Sequence, residues 1–237
     1  MKNNSSYLTL IFTSVDVSQN FLKRRARRNN YWTSISSILR WTHDLGDTYL
    51  VDNTGFFDHG KGVKFIQSLN VNELQVHSLL ENLGKLNKGL GELSMLKEIC
   101  EKVDIFSYEK ILFFTGRHFL TCPFVINESL ESSSDIVVAK PIFFQLNGLA
   151  ENDGDTDSIN DMFFCMKPEY IREYLDYFTI NASRLESMQI GSEQLLFEFL
   201  HKNQSSLKAP VVKFLPALGV IRFGMNLRNK IVRLEIL

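Results

Sequence analysis

The sharpest chemical signal in the chain is Thr115-Gly116-Arg117-His118, which closes the apolar run Lys110 to Phe114 (KILFF). A strand that runs into glycine and then into two cation-capable side chains offers close backbone approach and positive charge at one point. The Arg117 guanidinium is a planar fork that matches a phosphate or a carboxylate. His118 can act as acid, base or donor. A turn carrying a surface arginine explains the same four residues without a ligand.

Further candidates follow the same logic. Asp52-Asn53 close the run Thr48 to Asp52 (TYLVD). An acidic residue after the second strand of a nucleotide-binding sheet accepts hydrogen bonds from ribose or base, although Asp-Asn-Thr-Gly is also good turn chemistry. Lys88-Gly89-Leu90-Gly91-Glu92 opens a helix. Backbone N–H groups there favour anions and glycine lets a phosphate come close. The segment is neither G-x-x-x-x-G-K-[ST] nor G-x-G-x-x-G. Thr13-Ser14 end the first apolar run. Glu193, after Gly191-Ser192 at a helix start, is placed to act as a general base, and the helix dipole accounts for it equally well. Asp153, Asp155 and Asp157 lie in an acidic loop at 151–161, which reads as a solvated turn or as a Mg²⁺, Mn²⁺ or Ca²⁺ site. Asp161 directly precedes an apolar run and can point into the same cleft.

These residues need elements to hold them. Tyr7 to Val15 (YLTLIFTSV) reads as a buried strand, and a helix is expected from about Gln19 to Arg40 with a break at Asn29-Asn30. Thr48 to Asp52 is a second strand and Lys61 to Ile66 a third, short one. Val71 to Leu83 and Glu92 to Val103 carry helical periodicity, with a glycine-rich loop between them. Lys110 to Phe114, Asp135 to Phe144 and Met162 to Met166 read as strands, with Pro141 implying an edge or a bend. Pro168 opens a helix to about Phe178, and Ser192 is placed as N-cap of a helix from Glu193 to His201. Alternating strands and helices predict an α/β fold in one domain, with a largely parallel sheet and ligands beyond the carboxyl ends of its strands.

Composition narrows the classes. The 237 residues are 44% hydrophobic and 22% charged, so a packed core is expected. Lys plus Arg total 26 against 27 Asp plus Glu, a net charge of −1, which argues against a dedicated nucleic-acid binder. Cys100, Cys122 and Cys165 show no metal or redox spacing and read as reduced thiols of a cytoplasmic protein. No run reaches the length of a membrane span. The basic run Lys23, Arg24, Arg25, Arg27 and Arg28, and the cationic segment 202–237, read either as solvated faces or as surfaces for an anionic membrane.

Taken together, strand ends at Thr13-Ser14 and Asp52-Asn53, the Asn87-Lys88-Gly89-Leu90-Gly91-Glu92 helix start and the Thr115-Gly116-Arg117 strand end resemble small nucleotide-sugar glycosyltransferases. The similarity is to GT-A-type enzymes of bacterial surface-polysaccharide (O-antigen or capsule) synthesis, and it covers about residues 7–200. It implies a Rossmann-related, mostly parallel central sheet flanked by helices. It implies sugar transfer from a nucleotide-diphosphate donor to a lipid-linked or growing surface glycan, at the cytoplasmic face of the membrane. Thr13, Ser14, Asp52 and Asn53 would hold the nucleoside. Lys88, Gly89, Glu92, Thr115, Gly116 and Arg117 would line the diphosphate. Asp161 and Glu193 would face acceptor and donor sugar, with Glu193 as base in an inverting reaction.

GT-A enzymes end the strand after this helix in an Asp-x-Asp that holds a metal on the diphosphate. This chain has Thr115-Gly116-Arg117 there, so a Mg²⁺ or Mn²⁺ requirement is not expected, with Arg117 and Lys88 neutralising the leaving group instead. The alternative is metal ligation from Asp153, Asp155 or Asp161. A non-catalytic nucleotide- or glycan-binding protein of the same fold, and a nucleotidyltransferase, are the other functional classes open to it.

Overall fold

The computed structural model describes residues 6–15, 21–69, 74–79, 81–140, 163–187, 189–203, 210–216, 220–226 and 231–236. Four parallel strands form the half of the main sheet that matters for function: β1 (Tyr7–Thr13), β2 (Gly46–Asp52), β3 (Leu74–Ser78) and β4 (Lys110–Thr115). Their registers align Thr13 with Asp52, Phe12 with Thr115 and Asp52 with Ser78, so all four carboxyl ends emerge along one edge. The helices between them are α1 (Phe21–Thr42), α2 (Gly60–Leu69) and α3 (Lys88–Lys102). After β4 come β5 (His118–Leu120), α4 (Phe124–Glu131), β6 (Ile136–Lys140), β7 (Phe163–Met166), α5 (Pro168–Glu186), α6 (Ser192–Asn203), β8 (Val212–Pro216), β9 (Val220–Asn226) and β10 (Ile231–Ile236).

The main sheet has the order β3-β2-β1-β4-β7-β6-β8, and β7 alone runs against the rest. This is the mostly parallel α/β sheet expected from the sequence. Residue alternation in the strands sends side chains to two apolar cores. Leu8, Leu10, Phe12, Phe113 and Phe164 face α3, α5 and α6. Ile11, Leu50, Leu112, Phe114 and Phe163 face α1, α2 and α4. Phe113 and Phe164 stack across the β4–β7 pair with centroids 4.2 Å apart. Segment 202–237 contributes β8 to the main sheet, while β9 and β10 join β5 in a three-stranded sheet.

Several local expectations change. Lys61 to Ile66 is helix α2, not a strand, because Phe65, Ile66 and Leu69 pack on the core at helical spacing. Where a helix is expected at 71–83, Leu74–Ser78 form β3, which among the described residues is an edge strand hydrogen-bonded only to β2 and whose half-exposed pattern imitates an amphipathic helix. Helix α1 runs unbroken through Asn29-Asn30. The expected loop before Glu92 is helical from Lys88, capped by Asn87. Helix α5 continues past Phe178 to Glu186, and Ser192 is the first residue of α6 rather than its cap. Strand β6 has neighbours on both sides, so it is no edge; Pro141 lies outside the described residues. The cysteines form no disulfide, and burial pushes the Cys100 and Cys165 thiols up to about 12.

Candidate functional site

At the carboxyl ends of β1 and β4 lies an open cavity of about 240 Å³. Thr13, Ser14, Lys88, Glu92, Thr115 and Arg117 line it. The chain therefore gathers six of the residues singled out by sequence at one place. Arg27, Asn82 and Gly84 complete its polar wall, and Phe12, Tyr31 and Met95 its apolar one. Three cations, Arg27, Lys88 and Arg117, face one carboxylate, Glu92.

In the sequence Arg27 belongs to a basic run; in the fold it faces inward. It stands one helical turn before Tyr31 on the buried side of α1. Its Nε donates to the Ser14 carbonyl at 2.7 Å, and its guanidinium lies 3.4 Å from the Tyr31 hydroxyl. That hydroxyl also accepts the Ser14 N–H at 3.0 Å. Arg28 turns inward too, its guanidinium 4.8 Å from the centre of the Phe56 ring. Arg25 remains exposed. The i, i+4 relation of Arg27 to Tyr31 was the signal available in the sequence.

Arg117 lies two residues past the end of β4, is half-buried, and makes no hydrogen bond or ion pair within the described residues. Gly116 before it serves packing rather than ligand approach: an added Cβ would stand 2.7 Å from Thr13 Cγ2 and 3.1 Å from the Tyr31 ring. His118 is buried away from the cavity, its Nδ1 2.6 Å from Thr115 Oγ1.

Asp52 does not face a ligand. Its carboxylate is wholly buried and accepts from Thr13 Oγ1 (2.9 Å), the Val15 N–H (3.4 Å), the Thr54 N–H (2.9 Å) and hydroxyl (2.6 Å), and the Phe56 N–H (3.2 Å). The turn chemistry wins here, and Asp52 ties the β1 and β2 ends together. Asn53, also buried, accepts from Ser14 Oγ at 2.6 Å and braces the same corner.

The start of α3 differs likewise from the expected anion cradle. Asn87 Oδ1 takes the N–H of Gly89 at 2.7 Å and of Leu90 at 3.2 Å, so the first donors of the helix are already satisfied. Gly89 is there for helix contact, since its Cβ would come 2.5 Å from the Ser192 nitrogen. The cavity receives the Lys88 and Glu92 side chains instead.

Glu193 is set back from the cavity wall, paired with Lys88 Nζ at 3.2 Å. Lys88 also pairs with Glu92 at 3.4 Å, and Ser192 Oγ donates to Glu92 Oε2 at 3.0 Å. The carboxylate that lines the cavity is Glu92. Asp161, with Asp153, Asp155 and Asp157, lies outside the described residues. Among the described residues no three His, Cys, Asp or Glu side chains gather to hold a metal ion. Among the described residues the cavity's lining offers three cations and one carboxylate, Glu92, which is paired with Lys88. No helix among the described residues is long and apolar enough to cross a membrane.

No family model matches the chain, and no curated protein sequence does. Solved structures do. A Desulfovibrio desulfuricans G20 protein designated a nucleotide-diphospho-sugar transferase superposes with a TM-score of 0.53 at 10% identity, over 90% of this chain and 80% of that one. S. aureus TarS 1-349 superposes with a TM-score of 0.52 at 11% identity, over 91% of this chain and 59% of that one. With the sheet described above, these likenesses identify the architecture as GT-A-like α/β.

Proposed function

We infer that the chain is a glycosyltransferase that takes its sugar from a nucleotide-diphosphate donor. One observation carries this reading: the cavity at the β1 and β4 ends is walled by Arg27, Lys88 and Arg117. The fold likeness supports it. Cations fixed around a departing diphosphate stabilise the charge that develops as the glycosidic bond to phosphate breaks. Arg117 and Arg27 offer planar forks to phosphate oxygens, and Lys88 a point charge. Thr13 and Ser14 border the nucleoside side, and Asp52 and Asn53 behind them hold them in place.

In an inverting reaction the acceptor oxygen attacks the anomeric carbon, the diphosphate leaves with the bonding electrons, and a carboxylate takes the acceptor's proton. Glu92 lines the cavity and is the carboxylate we assign to that task. Glu193 acts through Lys88 as a positioning residue. We propose that arginine and lysine neutralise the phosphates in place of a metal; loss of activity on chelation would return that role to the carboxylates of 151–161. The acceptor we propose is a glycan, lipid-linked or growing at a surface, with Arg25 and the basic C-terminal segment toward an anionic membrane.

Thermal shift with UDP, GDP and CDP and their sugar conjugates tests the reading. A bound nucleotide at about 100 times its Kd stabilises by about 2.7 kcal/mol, a shift of about 5–10 °C for a chain of this size. No shift with any nucleoside diphosphate overturns the proposal. Binding with neither transfer nor hydrolysis of the sugar would leave a non-catalytic binding protein, the reading favoured by the missing carboxylates at the Thr115-Gly116-Arg117 strand end.

A further inference from the structure

Helices α1 and α2 each link neighbouring parallel strands and pack on the same core, so they lie side by side and run in the same direction. The Trp32 indole N–H donates to Ser68 Oγ at 3.3 Å and fixes their relative height. Counting back from that contact, one turn brings Arg28 abreast of Lys64, and two turns bring Arg25 abreast of Lys61. Arg28 is drawn back onto the Phe56 ring. Arg25, Lys61 and Lys64 are exposed and form no ion pair among the described residues. Residues 17–43 and 59–72 together hold eight lysines and arginines and no aspartate or glutamate, in a chain whose cations and acids balance. The flanking acids are engaged elsewhere: Asp44 pairs with His43 beyond the end of α1, and Asp58 accepts the Ser78 hydroxyl of β3. Like charges set abreast without a carboxylate between them repel one another until an anion comes from outside.

Trp32 indicates the kind of anion. The residue is 47% exposed among these cations, and its one polar corner is already used on Ser68. An exposed tryptophan flanked by lysine and arginine suits a bilayer surface, with the ring at headgroup level and the cations on anionic lipid. We propose that the α1–α2 face seats the chain on an anionic lipid surface, Trp32 entering the headgroup layer and Arg25, Lys61 and Lys64 meeting its phosphates. The inference deepens the acceptor side of the reading above and rests on it for its purpose. Arg27, on the inner side of the same turns of α1, lines the cavity. A chain seated this way brings its donor site to the surface that carries a lipid-linked acceptor.

The test is co-sedimentation of the full chain with vesicles of phosphatidylcholine, alone or with about 30 mol% phosphatidylglycerol. It compares the unsubstituted chain with Trp32→Ser and with the double variant Lys61→Glu/Lys64→Glu. All three positions are exposed, so both variants should melt as the parent does. The expected result is binding to the anionic vesicles and not to the neutral ones, falling as salt rises. One cation near an anionic surface is worth about fivefold in binding, so reversing two should weaken it by at least about 25-fold. Trp32→Ser should weaken it by about tenfold, as for a large apolar ring no longer taken out of water. UDP and GDP binding without vesicles should stay as it was in both variants. No binding to the anionic vesicles, equal binding to the neutral ones, or variants that bind as the parent does each overturn the proposal and leave the donor reading standing. Binding to heparin without binding to vesicles also overturns it, and makes the face a dock for an acidic macromolecule. A chain that binds these vesicles through this face but binds no nucleoside diphosphate overturns the donor reading and leaves the lipid-binding face standing.

Discussion

The Arg27 Nε lies 2.7 Å from the carbonyl oxygen of Ser14, so a cation from helix α1 is fastened to the end of strand β1 at the mouth of the cavity. Arg27→Ala removes both this clamp and a charge from the wall. Affinity for the preferred nucleoside diphosphate should fall at least about tenfold by calorimetry. Arg27→Lys restores charge but not the planar fork and should recover only part of the loss.

Arg117→Ala should separate activity from stability. The side chain has no protein partner among the described residues, so the melting temperature should shift by no more than about 0.5 kcal/mol implies. Sugar transfer should drop by about 10²-fold or more, as for the loss of one charge-stabilising donor. Unchanged turnover removes Arg117 from the mechanism.

Asp52→Asn should behave in the opposite way. The amide cannot accept from all five donors around the carboxylate. A loss of about 2–3 kcal/mol in denaturant unfolding is expected. A ligand-contact role would instead lower nucleotide affinity with stability unmoved.

Gly89→Ala should drive the starts of α3 and α6 apart, because the new methyl meets the Ser192 nitrogen at 2.5 Å. Overpacking of this kind costs about 1–3 kcal/mol, or about 2–12 °C in melting temperature for a chain of this length. The Lys88–Glu193 pair spans the same contact and should weaken with it.

The Arg184–Glu198 pair between α5 and α6 sets a pH dependence. Two contacts, 2.7 and 3.0 Å, join the guanidinium and the carboxylate, and the Arg184 hydrogen bonds hold the Glu198 carboxyl below its ordinary value. A carboxyl whose folded value is depressed contributes in full above its unfolded value, about 4.3, and loses that contribution as pH falls through the folded one. Glu198→Gln should cost about 1 kcal/mol or less at pH 7. The gap between variant and parent melting curves should close below about pH 4.

Strand ends were readable from sequence because long β-branched and aromatic runs stop abruptly at Thr13, Asp52 and Thr115. What lies beyond those ends was less readable. Nothing in the order of residues tells whether Asp52 turns toward a ligand or back into its own loop; the Thr54 and Phe56 N–H groups decide that in three dimensions. Glu92 and Glu193 sit at two helix starts brought together only by packing, so which of them lines the cavity is a tertiary fact. Asn82 was hidden for the same reason, since the helical reading of 71–83 placed no strand end beside it.

Strand β5 begins one residue after Arg117, and it pairs with β9, from the far end of the chain. A nascent chain still lacking β9 holds β5 on one side only, against α1, where the Ser34 hydroxyl donates to the His118 carbonyl and the Leu120 N–H donates to Ser37 Oγ; the long-range strand pairing is slow to form. The strand brace on the residues after Arg117 therefore arrives late in synthesis, after the parallel half of the main sheet has its strands. Clipping or displacing β9 would unpair His118–Leu120, the residues next to Arg117, about a hundred residues from the cut in the chain.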